Sequence, residues 1–434
     1  MLGGTSCLNA MQYIRGHHSD FDAWAEAGPN PGWSYADVLP HFVDLEDNEG
    51  GASPYHGVGG PVHVSTLRDK DHNPTSEAFV AACLERGYPA NDDFNGATSE
   101  GAGFGPVSIK ERVRQDTWTC LLAPVAGRDG LTVRTGASVA RLLVEGDRVT
   151  GVELASGERI LAGREVIVCA GAIDSPRLLL RSGIGPADEL RAVGVDVVHD
   201  LPGVGRNLHD HVLLGVVYEA AQPLPPGRNN LSESVLFTHS SLRASRGLPA
   251  PDIQVALVHV PFHSPEFTAP ANSYTIAPGI VYPRSRGSVR LLPDGGLAID
   301  PNYLADDADV VGLIEGIALS REVGAARAFA PWRAREVLPG PDVTSDAALR
   351  EFVAKAASTY YHPAGTCAMG TGADAVVDPE LRVRGLQGLR IADASIMPFM
   401  VGVNPNAAIT MIGSKAASLV TGVEPRVAAN LATA

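Results

Sequence analysis

Lysine is almost missing from this chain. It occurs only at positions 70, 110, 355 and 415 of 434, no basic run is present, and the formal net charge is -15. That balance excludes a nucleic-acid binder, because phosphate contacts need clustered Lys and Arg. Cysteine is sparse too. The five cysteines (7, 83, 120, 169 and 367) are scattered, odd in number and without a Cys-x-x-Cys pair. This argues against a disulfide framework and for a reduced, cytoplasmic protein. No apolar stretch reaches the roughly 18 charge-free residues of a membrane span. The first residues have neither the basic head nor the apolar core of a signal peptide. Also missing are a Gly-x-Ser-x-Gly elbow, a His-Glu-x-x-His pair, a Walker A lysine, internal repeats and low-complexity tracts.

What is present is ordinary globular composition, 45% hydrophobic and 19% charged, in a chain long enough for two or three domains with real cores. Ser34 followed by Val38, Leu39, Phe42 and Leu45 on one face predicts a helix over 33–47. Thr75 to Arg86 reads as a second helix, stopped by Gly87 and Pro89. Residues 91–107, rich in Gly, Asn and Asp, read as a loop of a length that often serves as a lid. From Leu131 to Leu161, β-rich runs alternate with turns at Glu145-Gly146-Asp147 and Ser156-Gly157, which predicts a β-meander. The apolar run Glu165 to Gly171 reads as a strand buried on both faces, feeding a helix capped by Ser175 with Pro176 in first position. That layout places a ligand at the carboxyl end of a parallel sheet. Between 208 and about 340, the runs Val212–Tyr218, Ile253–Val260, Tyr274–Val281 and Arg286–Leu291 predict a largely antiparallel sheet. Helices lie on one side of it, the longest at about 306–324. The fold class is therefore α/β in two domains, the second inserted into the first.

Chemistry-bearing residues gather in a few places. Leu2 to Met11 packs Gly3, Gly4, Thr5, Ser6, Asn9, Ala10 and Met11 into one stretch. Glycines let backbone approach a cofactor and short polar groups bond phosphate or ring atoms; alone, the run also reads as a plain loop. His362 lies in Tyr361-His362-Pro363-Ala364-Gly365-Thr366-Cys367. An imidazole suits a general base because its unperturbed pKa lies near neutrality. Asp393 and Ala394 follow the strand Leu389–Ala392, where a carboxylate serves as a surface cap or a cofactor contact. Asn404-Pro405-Asn406 opens a long apolar helix, and Asn404 is either its ordinary cap or an amide aimed at a substrate. Val139, by pattern, is merely a strand residue. His209-Asp210-His211 alternates histidines that could share a metal, but no further ligand can be placed and no metal is assigned.

Taken together, these segments resemble the glucose–methanol–choline (GMC) family of flavoprotein oxidoreductases, from Leu2 to about Val423. Further motifs that carry the resemblance are Tyr13, Arg15-Gly16 and Asp20 to Trp24; Gly171 to Leu179 with Ser182 to Pro186; and Asn404 through Lys415. The resemblance implies FAD and oxidation of a small-molecule alcohol to an aldehyde or ketone, with hydride passing to flavin N5. It implies His362 as base and Asn404 as the group holding the substrate oxygen. It places Gly3, Gly4, Thr5, Ser6, Asn9, Ala10 and Met11 at the flavin, Val139 at the adenine, and Asp393 and Ala394 at the ribityl–pyrophosphate part. Pro405 and Asn406 would begin a helix whose positive end faces the flavin. Leu8 stands where some members hold flavin covalently through a histidine, so noncovalent FAD is expected.

The same resemblance assigns 1–70, 117–207 and 385–434 to an FAD-binding domain and 71–116 and 208–384 to a substrate domain. Pocket residues would come from the latter, with no nucleic acid and no membrane span involved. Family members begin with a βαβ unit carrying Gly-x-Gly-x-x-Gly. The nearest string here, Gly203-Val204-Gly205-Arg206-Asn207-Leu208, lacks the third glycine. The expectation is a chain lacking the first strand of that sheet and the main pyrophosphate cradle, and poorly soluble alone. Two other activities fit: a non-redox, hydroxynitrile lyase-like flavoprotein, or an inactive remnant unable to hold FAD.

Overall fold

Runs of β-branched and aliphatic residues between 212 and 280, broken by Pro- and Gly-containing turns, build the largest element of the molecule. The computed structural model describes residues 1–68 and 70–426. Its eight-stranded sheet runs Arg333–Leu338, Val216–Ala220, Ser273–Ile280, Ile253–Val258, Ser234–Thr238, Gly101–Phe104. Every neighbouring pair along this path is antiparallel. Val212–Leu213 pairs off this path with both Ser273–Ile280 and Ser358–Thr359. The helices Pro74–Glu85 and Asp307–Gly324 pack on the sheet, and Phe79, Leu236, Val255, Ile276, Ile317 and Phe329 fill the core between them. Gly316 lets the long helix approach closely: a Cβ there would come 2.7 Å from the Pro278 side chain.

A second core gathers Tyr13, Phe21, Trp24, Trp33, Phe42, Leu179, Ile391 and Met411. It is built by the helices His18–Glu26, Tyr35–Leu45, Gly171–Arg181 and Asn406–Thr421 around a short parallel pair, Val166–Val168 with Leu389–Ile391. The meander is present as Val139–Glu145, Arg148–Leu154 and Arg159–Leu161. Ser34 caps its helix through a reciprocal box with Asp37. No helix among the described residues is long and apolar enough to cross a membrane.

Three local readings need correction. The stretch 91–107 is not all loop, because Gly101–Phe104 is a strand pairing with Ser234–Phe237. Its glycines serve close approach: a Cβ on Gly103 would sit 2.0 Å from the Asn91 carbonyl oxygen. The strand at 165–171 is short and not buried on both faces, since Ile167 is 42% exposed. Its helix begins at Gly171, so Ser175 and Pro176 lie inside it and Ser175 is no cap. Capping falls to Asp393, whose carboxylate accepts the Gly171 N–H at 2.9 Å. The interior proline is tolerated because the Ala172 carbonyl it leaves without an N–H accepts the Thr366 hydroxyl at 2.5 Å.

A buried charge network pins the chain after Met11 to the 91–95 loop. Arg15 meets Glu46 at 2.5 Å, and His56 bridges Glu46 at 2.9 Å and Asp93 at 3.0 Å. Burial alone would lower the His56 pKa, but its bonds to Asp93 and Glu46 outweigh this and push it up to about 9. A group raised on folding stabilises fully below its unfolded value, here 6.5, and that contribution is lost as pH rises through about 9. Stability should therefore fall across that window by an amount on the order of 3 kcal/mol. His56→Gln should flatten the slope, which urea unfolding at a series of pH values would read.

Candidate active site

The segment carrying His362 is held by a carboxylate that the local sequence does not advertise. Asp210 accepts the Thr359 hydroxyl at 2.5 Å, the Tyr303 hydroxyl at 2.6 Å and the His362 backbone N–H at 2.8 Å. Ala364 and His209 exchange backbone hydrogen bonds, at 2.9 and 3.2 Å, which lock 362–366 against 207–211. Gly365 is required for this crossing. Its φ is +87°, and a Cβ would lie 2.2 Å from the His209 ring.

His362 is partly buried and meets three side chains. The Tyr360 ring stacks on it at 4.8 Å between centroids. The His211 ring meets it edge-on at 5.1 Å, with the two Nδ1 atoms 3.0 Å apart. Asn404 brings its side-chain nitrogen to 3.3 Å from His362 Nε2. Gln254 Nε2 in turn donates to Asn404 Oδ1 at 3.2 Å. Burial, and then the neighbouring His211, hold the His362 pKa well below 6.5. Burial lowers His211 to about 4. Both rings are thus neutral at neutral pH and share one proton between their Nδ1 atoms. If the Asn404 amino group donates to Nε2, that nitrogen bears a lone pair and His362 keeps its proton on Nδ1.

The two readings of Asn404 separate here. The helix Asn406–Thr421 is capped by Pro405 with no side-chain cap bond, while the Asn404 amide turns to His362. Among the described residues the first N–H groups of that helix have no side-chain acceptor. Asp393 is also clear in its contacts. It is buried, and its two oxygens accept from Gly171 N at 2.9 Å, Ser175 Oγ at 2.5 Å and Ser395 N at 2.8 Å. It thus ties the turn after Val166–Val168 to the turn after Leu389–Ile391, with Ala394 buried beside it.

The Leu2–Met11 stretch forms a single 3-10 turn over Gly4–Cys7, with Gly3 at φ 82°. Ser6 Oγ donates to Gly3 O at 2.5 Å and accepts from Thr117 N at 3.0 Å. Asn9 Oδ1 accepts from Arg114 at 2.6 Å and from Met11 N at 3.0 Å. These side chains hold their own turn, while Gly4, Thr5, Leu8 and Ala10 are exposed. Val139 is exposed at the start of the meander. Neither Leu2–Met11 nor Val139 shares a hydrogen bond with the His362 or Asp393 groups among the described residues.

Sequence reasoning missed four members of the site, Asp210, His211, Gln254 and Tyr360, the last without any signal. His211 stood out only as a possible metal partner of His209, with Asp210 between them; no group of three metal-capable side chains occurs among the described residues. Gln254 had a faint signal, a lone amide within the apolar strand Ile253–Val258.

Comparison with known proteins agrees with this architecture. The GMC oxidoreductase family models match residues 1–213 (the N-terminal model) and 283–413 (the C-terminal model). Mitochondrial choline dehydrogenase of Mus musculus is 39% identical over 449 residues, covering 97% of this chain and 75% of that protein. Oxygen-dependent choline dehydrogenase of Brucella suis biovar 1 is 36% identical over 464 residues, covering 99% and 83%. The crystal structure of pyridoxine 4-oxidase from Mesorbium loti superposes with a TM-score of 0.90 at 37% identity, covering 96% of this chain and 83% of the other. The mixed α/β, two-domain architecture is shared with it. On these grounds the chain is an FAD-dependent oxidoreductase and belongs to the GMC oxidoreductase family.

Proposed function

We propose that this protein oxidises a small-molecule alcohol to the aldehyde or ketone, with His362 as the base and Asn404 as the ligand of the substrate oxygen. The observation that carries this is His362 Nε2 facing the Asn404 side-chain nitrogen at 3.3 Å, on a ring whose pKa burial holds well below 6.5. A nitrogen with a free pair beside an N–H donor offers a hydroxyl both things it needs, an acceptor for its proton and a partner for its oxygen. Asp210, His211 and Tyr360 fix the ring so that little is left to order when substrate arrives.

The residues present fit FAD. The helix at Pro405 and Asn406 presents uncapped N–H groups, which favour an electron-rich partner. Open space surrounds the positive-φ glycines Gly4 and Gly171. A flavin bound there supplies the hydride acceptor for the reaction. Gly3, Gly4, Thr5, Ser6, Asn9, Ala10 and Met11 would hold it with Val139, Ala394, Pro405 and Asn406. Asp393 would act by holding two turns, since both its oxygens are already engaged. Leu8 offers no covalent attachment, so acid precipitation should release the flavin into the supernatant.

A division into an FAD domain (1–70, 117–207, 385–434) and a substrate domain (71–116, 208–384) is supported by the second core, which lies wholly within the latter ranges, while Phe94, Val235, Phe237 and several residues between 364 and 383 pack into the first. Ile167, exposed on the short parallel pair, fits completion of that pair by a Gly-x-Gly-x-x-Gly βαβ unit, a motif these 434 residues do not contain.

Because burial and His211 hold His362 well below 6.5, the base stays unprotonated into the acid range. The holoenzyme's kcat/KM should therefore hold a plateau from neutrality to well below pH 6.5 and fall only beyond that. A panel of primary and secondary alcohols, followed by carbonyl product across pH, tests both the reaction and the base. A limb at or above the ordinary imidazole value would contradict this assignment of His362.

A further inference from the structure

Asn404 does not choose its own orientation. Its amide has an oxygen at one end and an amino group at the other, and either can face His362 Nε2, because the imidazole tautomer adapts. His211 weighs on the choice from the other side, since the Val401 and Val281 backbone carbonyls lie near its ring as acceptors of an N–H, which favours its Nδ1 as acceptor toward His362. Among the described residues the one further group bonded to the Asn404 amide is Gln254.

Gln254 lies in the strand Ile253–Val258 and is fully buried, on the face opposite to Ile253 and Val255. Its Nε2 reaches Asn404 Oδ1 at 3.2 Å, and its Oε1 is buried without a partner among the described residues. An unpaired buried carbonyl is costly, and an aliphatic side chain would avoid it. Reversing the amide would be worse, because it would bury an amino group without an acceptor, the rarer defect. The side chain is therefore set as a donor toward Asn404.

We propose that Gln254 is a positioning residue that, by donating to Asn404 Oδ1, turns the Asn404 amino group to His362 Nε2 and keeps the lone pair of the base on that nitrogen. The inference rests on the reading of His362 as base, but its test does not depend on turnover.

Two near-isosteric variants of the flavin-loaded enzyme separate the possibilities. In Gln254→Glu the carboxylate only accepts, so Asn404 must turn its amino group to it and present its carbonyl to His362. Selective 15N labelling of histidine, with the His362 signals assigned through a His362→Gln variant, reads the tautomer at alkaline pH, where both rings are neutral. The expected result is Nδ1–H in the unaltered enzyme and Nε2–H in Gln254→Glu. In turnover, kcat should fall about 100-fold in Gln254→Glu. It should fall about tenfold in Gln254→Met, which keeps the shape and loses one hydrogen bond. The proposal is overturned if His362 is Nε2–H in the unaltered enzyme, or if Gln254→Glu keeps the Nδ1–H tautomer. Were His362→Ala to remain active, the base reading would fail, while the tautomer would still decide the role of Gln254.

Discussion

Replacing His362 with alanine should lower kcat by about 10²- to 10⁴-fold, the usual worth of a positioned general base, while the holoenzyme keeps its flavin. The fold has little reason to suffer. The bond from residue 362 to Asp210 is made by the backbone N–H and survives the substitution. The side chain meets Tyr360, His211 and Asn404, all members of the site, and none of the large buried aromatics of either core. Flavin absorbance per mole of protein, measured beside kcat, separates a lost base from a lost cofactor. Turnover within a few fold of the parent would remove His362 from its role.

Asp393→Ala should act in the opposite manner, through the fold and the cofactor. The substitution leaves Gly171 N, Ser175 Oγ and Ser395 N without their shared acceptor in a buried place. Losing a buried charged partner of several donors costs about 3–5 kcal/mol. The loss falls where the Val166–Val168 and Leu389–Ile391 turns are joined, so it should loosen the parallel pair. The expected outcome is a markedly lower thermal midpoint, flavin lost on gel filtration, and kcat per bound flavin much closer to normal than kcat per protein. A variant that melts and holds flavin like the parent would show that the joint is not essential.

Elements with strong periodicity and a local cap were legible in the sequence. The helix begun at Ser34, and the helix expected at about 306–324 and found as Asp307–Gly324, depend on residues within a turn or two of each other. The antiparallel strands between 212 and 280 were legible because β-branched runs alternate with turn residues. Where a reading failed, the deciding partner lay far along the chain. Val166–Val168 looks doubly buried by composition, yet only one strand among the described residues pairs with it. Gly101 and Gly103 look like loop glycines until Asn91 is seen crossing beside them. In the same way, His362 and Asn404 could be singled out from their motifs. The groups that set their protons, His211 and Gln254, could not, because 151 and 150 residues separate the bonded partners.

The central claim is that the protein removes hydrogen from an alcohol carbon. Anaerobic mixing of the oxidised holoenzyme with a turned-over alcohol, bearing hydrogen or deuterium on the carbinol carbon, tests it most directly. Bleaching of the flavin absorbance, slowed severalfold by deuterium, is the predicted result. Product forming while the flavin stays oxidised, with no effect of deuterium, would contradict the account and point to non-redox lyase chemistry at the same histidine.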